Sequence, residues 1–222
     1  MKRRKCVARS VDMSSRPELK LAPCTFEAAK YAVMNWHYSK RMPSGRLVHI
    51  GVWEGGKFIG VVIFGRGATD SIGTAYGAST TEACELVRVA LTAHAAPVSR
   101  ILSVALKVLR ATSAGLRLVV SYADPEQAHH GGIYQAGNWV YVGRTSADVK
   151  YVDASGKEYH SRSVSPTGLK KQFGRVKQVA KTSDLTAIKT AGKHKYLYPL
   201  DDAMRQQIAP LSKPYPKRQA GA

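Results

Sequence analysis

The chain has 222 residues, of which 44% are hydrophobic, which is enough for one packed domain and excludes global disorder. Its 34 Lys and Arg residues outnumber the 15 Asp and Glu residues, giving a formal net charge of +19 at pH 7. No apolar run predicts a membrane span or a secretory signal, and three scattered cysteines favour a reducing cytosol over a disulfide framework or a zinc knuckle.

The first half of the chain predicts a helix followed by antiparallel strands. Residues 25–36 have the apolar spacing of an amphipathic helix, with Thr25 as its N-cap. The apolar segments "LVHIGVWE" and "KFIGVVIFG" flank two glycines and predict a β-hairpin. A loop at 66–83 then leads to a strand at 85–91.

The second half alternates strands with helices. "VSRILSVALKVLRATSAG" predicts a helix that stops at Gly115, and it is followed by the strand "LRLVVSYAD", the short helix "GGIYQAGN" and the strand "WVYVGRT". "VKYVDASGKEYHSRSV" predicts a hairpin turned at Ser155-Gly156, and the tail from Pro166 predicts one or two helical pieces. This order predicts an α/β chain with a mixed α+β sheet that is antiparallel at its start and crossed by a helix in its middle.

The positive charge is concentrated at the two ends of the chain. Residues 1–20 carry seven basic and two acidic side chains, and residues 157–222 carry 14 and four. Clustered Lys and Arg favour a polyanionic partner because binding releases phosphate counterions; the alternative is a solubilising surface. We therefore predict a basic N-terminal arm at 1–20, a central domain at 21–165, and a basic C-terminal extension at 166–222 packed on the same domain.

The element order resembles that of the GNAT superfamily of N-acetyltransferases. "IYQAGNWVYVGR" is similar to its late motif, in which a Tyr of a short helix precedes a Gly, an aromatic residue and a strand ending in Gly-Arg. The resemblance implies a GNAT-like acyltransferase fold whose two central parallel strands splay apart, with an acyl-CoA in the gap. The pyrophosphate loop of that superfamily is glycine-rich, whereas the corresponding segment here is "LTAHAAPVSRI".

Five segments resemble, in the same order, the Mom family of bacteriophage DNA-modification proteins: "NWHYSKRMPSG", "VWEGGKFIGVVIFGRGA", "ELVRVAL", "SYADP…IYQAGNWVYVG" and "GKHKYLYPL". The resemblance spans about residues 30–200. It implies conversion of adenine N6 in double-stranded DNA to N6-carbamoylmethyl-adenine, protection of phage DNA from restriction, and action in the cytoplasm of the infected host. The resemblance also implies acetyl-CoA or a related acyl donor as the cofactor, and iron as the candidate metal.

Four residues are candidates for the chemistry. Asp124 ends a buried strand, where ligands collect in open α/β sheets, and it can deprotonate a weakly nucleophilic adenine amine; the alternative is an Asp-Pro turn cap. The resemblance assigns to Tyr134 the protonation of the leaving group; the alternative is that this tyrosine only packs in the core. His37 and Tyr38 follow the first helix in a polar loop. His37, Tyr38, Asp124 and Tyr134 are also the candidate oxygen and nitrogen ligands of a metal.

Further residues are assigned to the donor and to DNA. Arg88 lies in mid-strand and needs a partner such as Glu85 or a bound anion. Ser99 and Arg100 begin the central helix, whose free N–H groups can bind phosphate, and Ser121 is assigned to the same donor site. The residues assigned to DNA contacts are Lys2, Arg3, Arg4, Lys5, Lys170, Lys171 and Arg175.

Alternative functions stay open at this point. One is an N-acetyltransferase acting on a protein or small-molecule amine, and another is a non-catalytic nucleic-acid-binding protein of the same fold. The donor is also open, since a glycine-derived group or a charged tRNA fits as well as an acyl-CoA. An enzyme that modifies adenine in a duplex must extrude the base and stack it on an aromatic side chain. Trp139 is a candidate for this stacking; the alternative is that it belongs to the hydrophobic core. The sequence leaves the oligomeric state open, with a homodimer as one option.

Overall fold

The computed structural model describes residues 17–67, 69, 71–172 and 174–217. These residues divide into two compact units, one formed by 17–72 and 84–116, the other by 73–83 and 117–217. The basic residues Lys2, Arg3, Arg4 and Lys5 lie outside the described residues.

The first unit is an antiparallel sheet with two helices. Its strands follow the order β1-β2-β3-β4 and its elements are β1 (Leu19–Pro23), α1 (Phe26–Trp36), β2 (Leu47–Glu54), β3 (Lys57–Gly65), β4 (Ala83–Leu91) and α2 (Val98–Thr112). Thr25 caps α1 as predicted, because its hydroxyl accepts the Ala28 N–H at 3.2 Å. The predicted β2–β3 hairpin is confirmed. The predicted stop of α2 at Gly115 is wrong. The helix ends at Thr112, and its C-cap, Ser113, lies two residues before Gly115.

The two helices of this unit contact different pairs of strands. α1 contacts β2 and β3, and its Ala29, Ala32 and Val33 pack with Val61 and Ile63 in one buried cluster. α2 contacts β1 and β2 through a buried apolar stripe consisting of Ile101, Leu102, Ala105, Leu106 and Leu109. The alternation of side chains along each strand supplies both faces with apolar groups.

A β-bulge interrupts β4 in its middle. Ile63 of β3 pairs with Arg88, whereas the next residue, Phe64, pairs with Leu86, so Val87 is the extra residue. A bulge redirects the side chains around it, and such irregularities are frequent beside active sites.

The second unit has a strand order that does not follow the chain. Its main strands are β5 (Leu118–Ala123), β6 (Val140–Arg144) and β14 (His194–Pro199), antiparallel in the order β5-β14-β6, with the helices α3 (Gly132–Gln135) and α4 (Asp202–Ile208). The aromatic segment "KHKYLYPL" is therefore mostly strand β14, paired on both sides.

A β-rich excursion at residues 145–193 connects β6 to β14. It contains β7 (Asp148–Val152), β8 (Glu158–His160), β9 (Val164–Ser165), β10 (Leu169–Gln172), β11 (Arg175–Gln178), β12 (Ala180–Lys181) and β13 (Thr186–Thr190). Thr145 and Lys193 close its base, since the Thr145 N–H donates to the Lys193 carbonyl and the Lys193 N–H to the Thr145 hydroxyl, both at 2.9 Å. The β7–β8 hairpin was predicted, whereas the other strands of the excursion were not. In the tail from Pro166, which was predicted to contain one or two helical pieces, the helical structure consists of α4 and two single 3₁₀ turns at Thr182–Asp184 and Ala209–Leu211.

The mixed α+β class is confirmed, together with the predicted order of antiparallel start, strand, long helix, strand, short helix and strand. The splay of the two central strands and the three-part division at residues 20 and 165 stay predictions.

Candidate active site

Two buried hydroxyl groups form the innermost polar contact of the second unit. Ser121, in β5, is fully buried and donates a 2.8 Å hydrogen bond to the hydroxyl of Tyr134 in α3. The hydroxyl proton of Tyr134 is therefore directed to an acceptor other than Ser121. The sequence assigned Ser121 to the donor site and Tyr134 to catalysis, and the fold brings these two side chains into contact.

Asp124 directly follows β5, and each of its two carboxylate oxygens has a partner. Oδ1 accepts the Glu126 N–H at 3.0 Å, and Oδ2 lies 3.0 Å from the ammonium of Lys193 at the end of the excursion. The carboxylate thus caps a 3₁₀ turn, as the turn-cap alternative predicts, and also faces a cation. Its side chain is 21% exposed, so it stays within reach of solvent or a substrate.

An aromatic cluster surrounds Tyr134. Its ring lies 5.0 Å from those of Trp139 and Tyr196, and the Tyr196 hydroxyl donates to the His130 carbonyl at 2.6 Å. Gly131 adopts φ +84°, and a side chain there would collide with the Tyr196 ring. Packing against Tyr196 therefore requires a glycine at position 131.

The hypothesis that Trp139 stacks an extruded base is wrong. Trp139 is 1% exposed and packs against Tyr134 and Tyr198, so it is part of the core. Burial of its indole ring between two tyrosines leaves no face for a base.

His37 and Tyr38 form a tight turn after α1 in the first unit. His37 is buried, Nδ1 of its ring accepts the Ser39 N–H at 3.0 Å, and the ring stacks on the exposed Tyr38 at 4.3 Å. Because a backbone N–H can only donate, the lone pair is on Nδ1 and a neutral His37 carries its proton on Nε2. Lys40 closes the turn with φ +45°, a conformation that side chains rarely adopt.

The donor set does not fit a metal site. A histidine that ligates through one ring nitrogen normally donates an N–H from the other, whereas Nδ1 of His37 is an acceptor. Among the residues that the structure describes, no group of three or more His, Cys, Asp or Glu side chains could hold an ion. The iron hypothesis is therefore not supported.

Among the described residues, Arg88 is one of two with a buried side-chain nitrogen that lacks a hydrogen-bond partner. Its Nη1 donates to the Val87 carbonyl at 2.7 Å, but within the described part of the chain neither its Nε nor Nε2 of His49 has a hydrogen-bond partner. His49, Ile63 and Arg88 are aligned across β2, β3 and β4. Burial lowers the pKa of His49 and so favours its neutral form. An unsatisfied buried donor costs about 1–3 kcal/mol, so a polar ligand would be stabilised here.

The loop before α2 already binds an anionic group of the protein itself. The Glu54 carboxylate accepts the N–H groups of Ala95 at 2.8 Å and Ala96 at 2.7 Å. The Ala95 N–H is the main reason that the pKa of Glu54 is lowered, with smaller contributions that include Arg100. Ser99 lies in the first turn of α2, half-buried, and Arg100 is exposed. Two N–H groups of the loop before α2 are therefore bonded to a carboxylate.

Replacing this carboxylate should open the loop to anions. We expect Glu54→Gln to bind inorganic pyrophosphate several-fold more tightly than the unmodified chain, since the substitution removes a negative charge and leaves one N–H unbonded. Titration calorimetry measures the effect, and Glu27→Gln, at an exposed position of α1, is the matched control. Equal affinities in all three proteins would show that these N–H groups take no part in anion binding.

Comparison with known proteins resolves the family. The model of the Mom protein family matches residues 18–217. The chain belongs to the Mom protein family. A curated relative of this Mom-family chain is the methylcarbamoylase Mom of Escherichia phage Mu, 26% identical over 207 residues that cover 90% of this chain and 84% of the relative. The resemblance seen in the sequence is confirmed.

Solved structures similar to this Mom-family chain have low sequence identity. FeeM, an N-acyl amino acid synthase from uncultured soil microbes, is 14% identical with a TM-score of 0.43, covering 86% of this chain and 94% of its own. The yncA protein of Salmonella typhimurium, solved with acetyl-CoA, is 13% identical with a TM-score of 0.43, covering 83% and 95%. Among the described helices, none has the length and apolar character that crossing a membrane requires.

Two contacts and one alignment of this Mom-family chain were not predicted from the sequence. Lys193 pairs with Asp124 from 69 positions away, Glu54 bonds the loop before α2, and His49 aligns with Arg88 across β3. Each brings together residues that are distant in sequence, which no local motif signals. The one available signal was a polar residue inside an apolar strand segment, as at His49 in "LVHIGVWE".

Proposed function

We propose that this Mom-family chain converts the N6 amino group of adenine in double-stranded DNA to an N6-carbamoylmethyl group and so protects phage DNA from restriction in the host cytoplasm. The observation that carries the proposal is the family match over residues 18–217, together with a relative named as a methylcarbamoylase. The net charge of +19 supports a polyanionic substrate.

The structure of the proposed product, N6-carbamoylmethyl-adenine, determines which bonds form and break in the reaction. A bond forms between adenine N6 and the CH2 carbon of the carbamoylmethyl group, and the bond from that carbon to its leaving group breaks. The leaving group departs with the electron pair, and N6 loses one proton. Because N6 ends on the CH2 carbon and not on a carbonyl carbon, simple acyl transfer from acetyl-CoA does not give this product. An activated carbamoylmethyl or glycine-derived donor meets the requirement.

Asp124 is the proposed base. Its position at the end of β5, its partial exposure and its ion pair with Lys193 keep a carboxylate where a substrate can approach it. It would accept the proton that N6 loses, which matters because the N6 lone pair is delocalised into the ring.

Tyr134 is the proposed proton donor. The hydrogen bond from Ser121 directs the hydroxyl proton of Tyr134 elsewhere, which suits donation to the leaving group. His37, in the first unit, stays a proposed catalytic residue: when neutral it carries its proton on Nε2, and Tyr38 packs on its ring. In the same unit Arg88, whose Nε has no partner among the described residues, would bind a polar ligand.

Mass spectrometry of nucleosides tests the proposal. Plasmid DNA from cells that express the chain should yield a modified deoxyadenosine whose added mass is that of a carbamoylmethyl group. An added acetyl group would instead indicate ordinary acyl transfer. Unmodified DNA with soluble, folded protein would contradict the proposal and favour an amine acetyltransferase or a non-catalytic binding protein.

A further inference from the structure

The β10–β11 ribbon is a cationic surface that the candidate site does not use. Its antiparallel register pairs Lys170 with Lys177 and Gln172 with Arg175. Directly opposite residues of an antiparallel pair share a face. These four side chains therefore form one surface, which we call the cationic ribbon face. The opposite face carries Leu169, Lys171, Val176 and Gln178.

No carboxylate of the described residues neutralises the charges of this ribbon. Between Glu158 and Asp184 the sequence has six basic residues and no acidic one. Lys171, Arg175 and Lys177 form no ion pair with a carboxylate of the described residues. Lys170 donates to the Arg162 carbonyl and directly opposes Lys177. Like charges in such a pair are destabilising, so an anion lying against this face would stabilise it.

Packing does not explain the ribbon either. Every residue of β11 is exposed, Val176 is 65% exposed, and no third strand of the described chain joins the pair. A two-stranded hairpin with both faces in solvent is only marginally stable. The exposed, charged ribbon therefore has the properties of a binding element.

We propose that the cationic ribbon face enters the major groove of double-stranded DNA. Lys170 and Lys177 contact phosphates, and Gln172 and Arg175, opposite each other beside the turn, contact base edges. The inference rests on the proposed DNA-modifying function, and it assigns the contact that places the enzyme on its substrate.

Groove dimensions and base chemistry favour this partner. The major groove of B-DNA is about 12 Å wide and admits a two-stranded ribbon, whereas the minor groove is about 6 Å wide. Arg pairs with O6 and N7 of guanine and Gln with N6 and N7 of adenine, all of which face the major groove. The major groove of A-form RNA is too deep and narrow for side chains, so the stem of a tRNA is a poorer fit.

Two single substitutions separate the two kinds of contact. Fluorescence anisotropy with a labelled duplex, over a series of salt concentrations, gives affinity and salt dependence. Lys177→Gln should make the slope of log affinity against log salt shallower by about 1, equally for all sequences. The unmodified protein should prefer a normal duplex about tenfold over one containing 7-deazaguanine, which lacks the N7 acceptor, and Arg175→Gln should lose that preference.

The control is Lys57→Gln, which removes the same charge from an exposed position at the β2–β3 turn and should change neither quantity. Thermal melting establishes that all variants are folded. If the unmodified protein modifies DNA but both ribbon variants bind like it, the ribbon inference is overturned and the proposed function stands. If the ribbon effects occur without a modified nucleoside, the proposed function fails and the ribbon assignment stands. Tighter binding to tRNA than to duplex DNA also overturns the inference.

Discussion

Asp124→Asn should reduce the modification of DNA at least about a hundredfold, the effect expected for loss of a general base. The asparagine oxygen can still accept the Glu126 N–H, so the cap of the 3₁₀ turn is kept while the negative charge is lost. Duplex affinity should not fall, because the substitution removes a negative charge. Nucleoside mass spectrometry gives the extent of modification, and anisotropy gives the affinity.

Lys193→Gln is the matched control for Asp124. It breaks the same ion pair, at 3.0 Å, but keeps the carboxylate. A base that acts directly predicts much more residual modification in Lys193→Gln than in Asp124→Asn. If Asp124→Asn modifies DNA at the normal level, the residue serves only as a cap and ion-pair partner, and the proposed active site is in the wrong place.

The elements that the sequence predicted are those with local signals. The start of α1 follows from Thr25 and the apolar spacing after it, and the β2–β3 hairpin follows from Gly55 and Gly56. In both cases the deciding contacts lie within a few residues, so propensity and spacing determine the structure.

The position of β14 depends on distant contacts. Its partners β5 and β6 are both complete some 50 or more residues earlier in the chain, and β14 lies between them. Nothing in "KHKYLYPL" specifies that placement, because its tyrosines suit a core cluster or a strand equally. The strands β9 to β13 of the excursion were missed for a related reason: they are two to five residues long and mostly polar, which gives no clear period.

The sequence predicted which residues belong to the candidate site, but not the hydrogen bonds between them. Ser121 and Tyr134 were assigned to different tasks and turn out to share a hydrogen bond. The proton position on His37 depends on one backbone N–H, that of Ser39, which only the turn geometry provides. Sequence patterns identify such residue types, whereas the direction of each hydrogen bond requires the fold.

Tyr134→Phe should lower modification by about a hundredfold or more if the hydroxyl protonates the leaving group. The same substitution removes the acceptor of the buried Ser121 hydroxyl, which costs about 1–3 kcal/mol of stability. Loss of activity alone therefore does not distinguish a proton donor from a structural tyrosine. The aromatic contacts with Trp139 and Tyr196 are retained, because phenylalanine keeps the ring.

The double variant Ser121→Ala with Tyr134→Phe separates the two roles. Removing both partners of a buried hydrogen bond is much less costly than removing one, so the free energy of unfolding should recover toward that of the unmodified protein. Urea unfolding measures this recovery, and nucleoside mass spectrometry measures modification on the same samples. Recovered stability with modification still lost supports Tyr134 as the proton donor. Recovery of modification together with stability would mean that the hydroxyl of Tyr134 serves the packing of β5 against α3 and that another group protonates the leaving group.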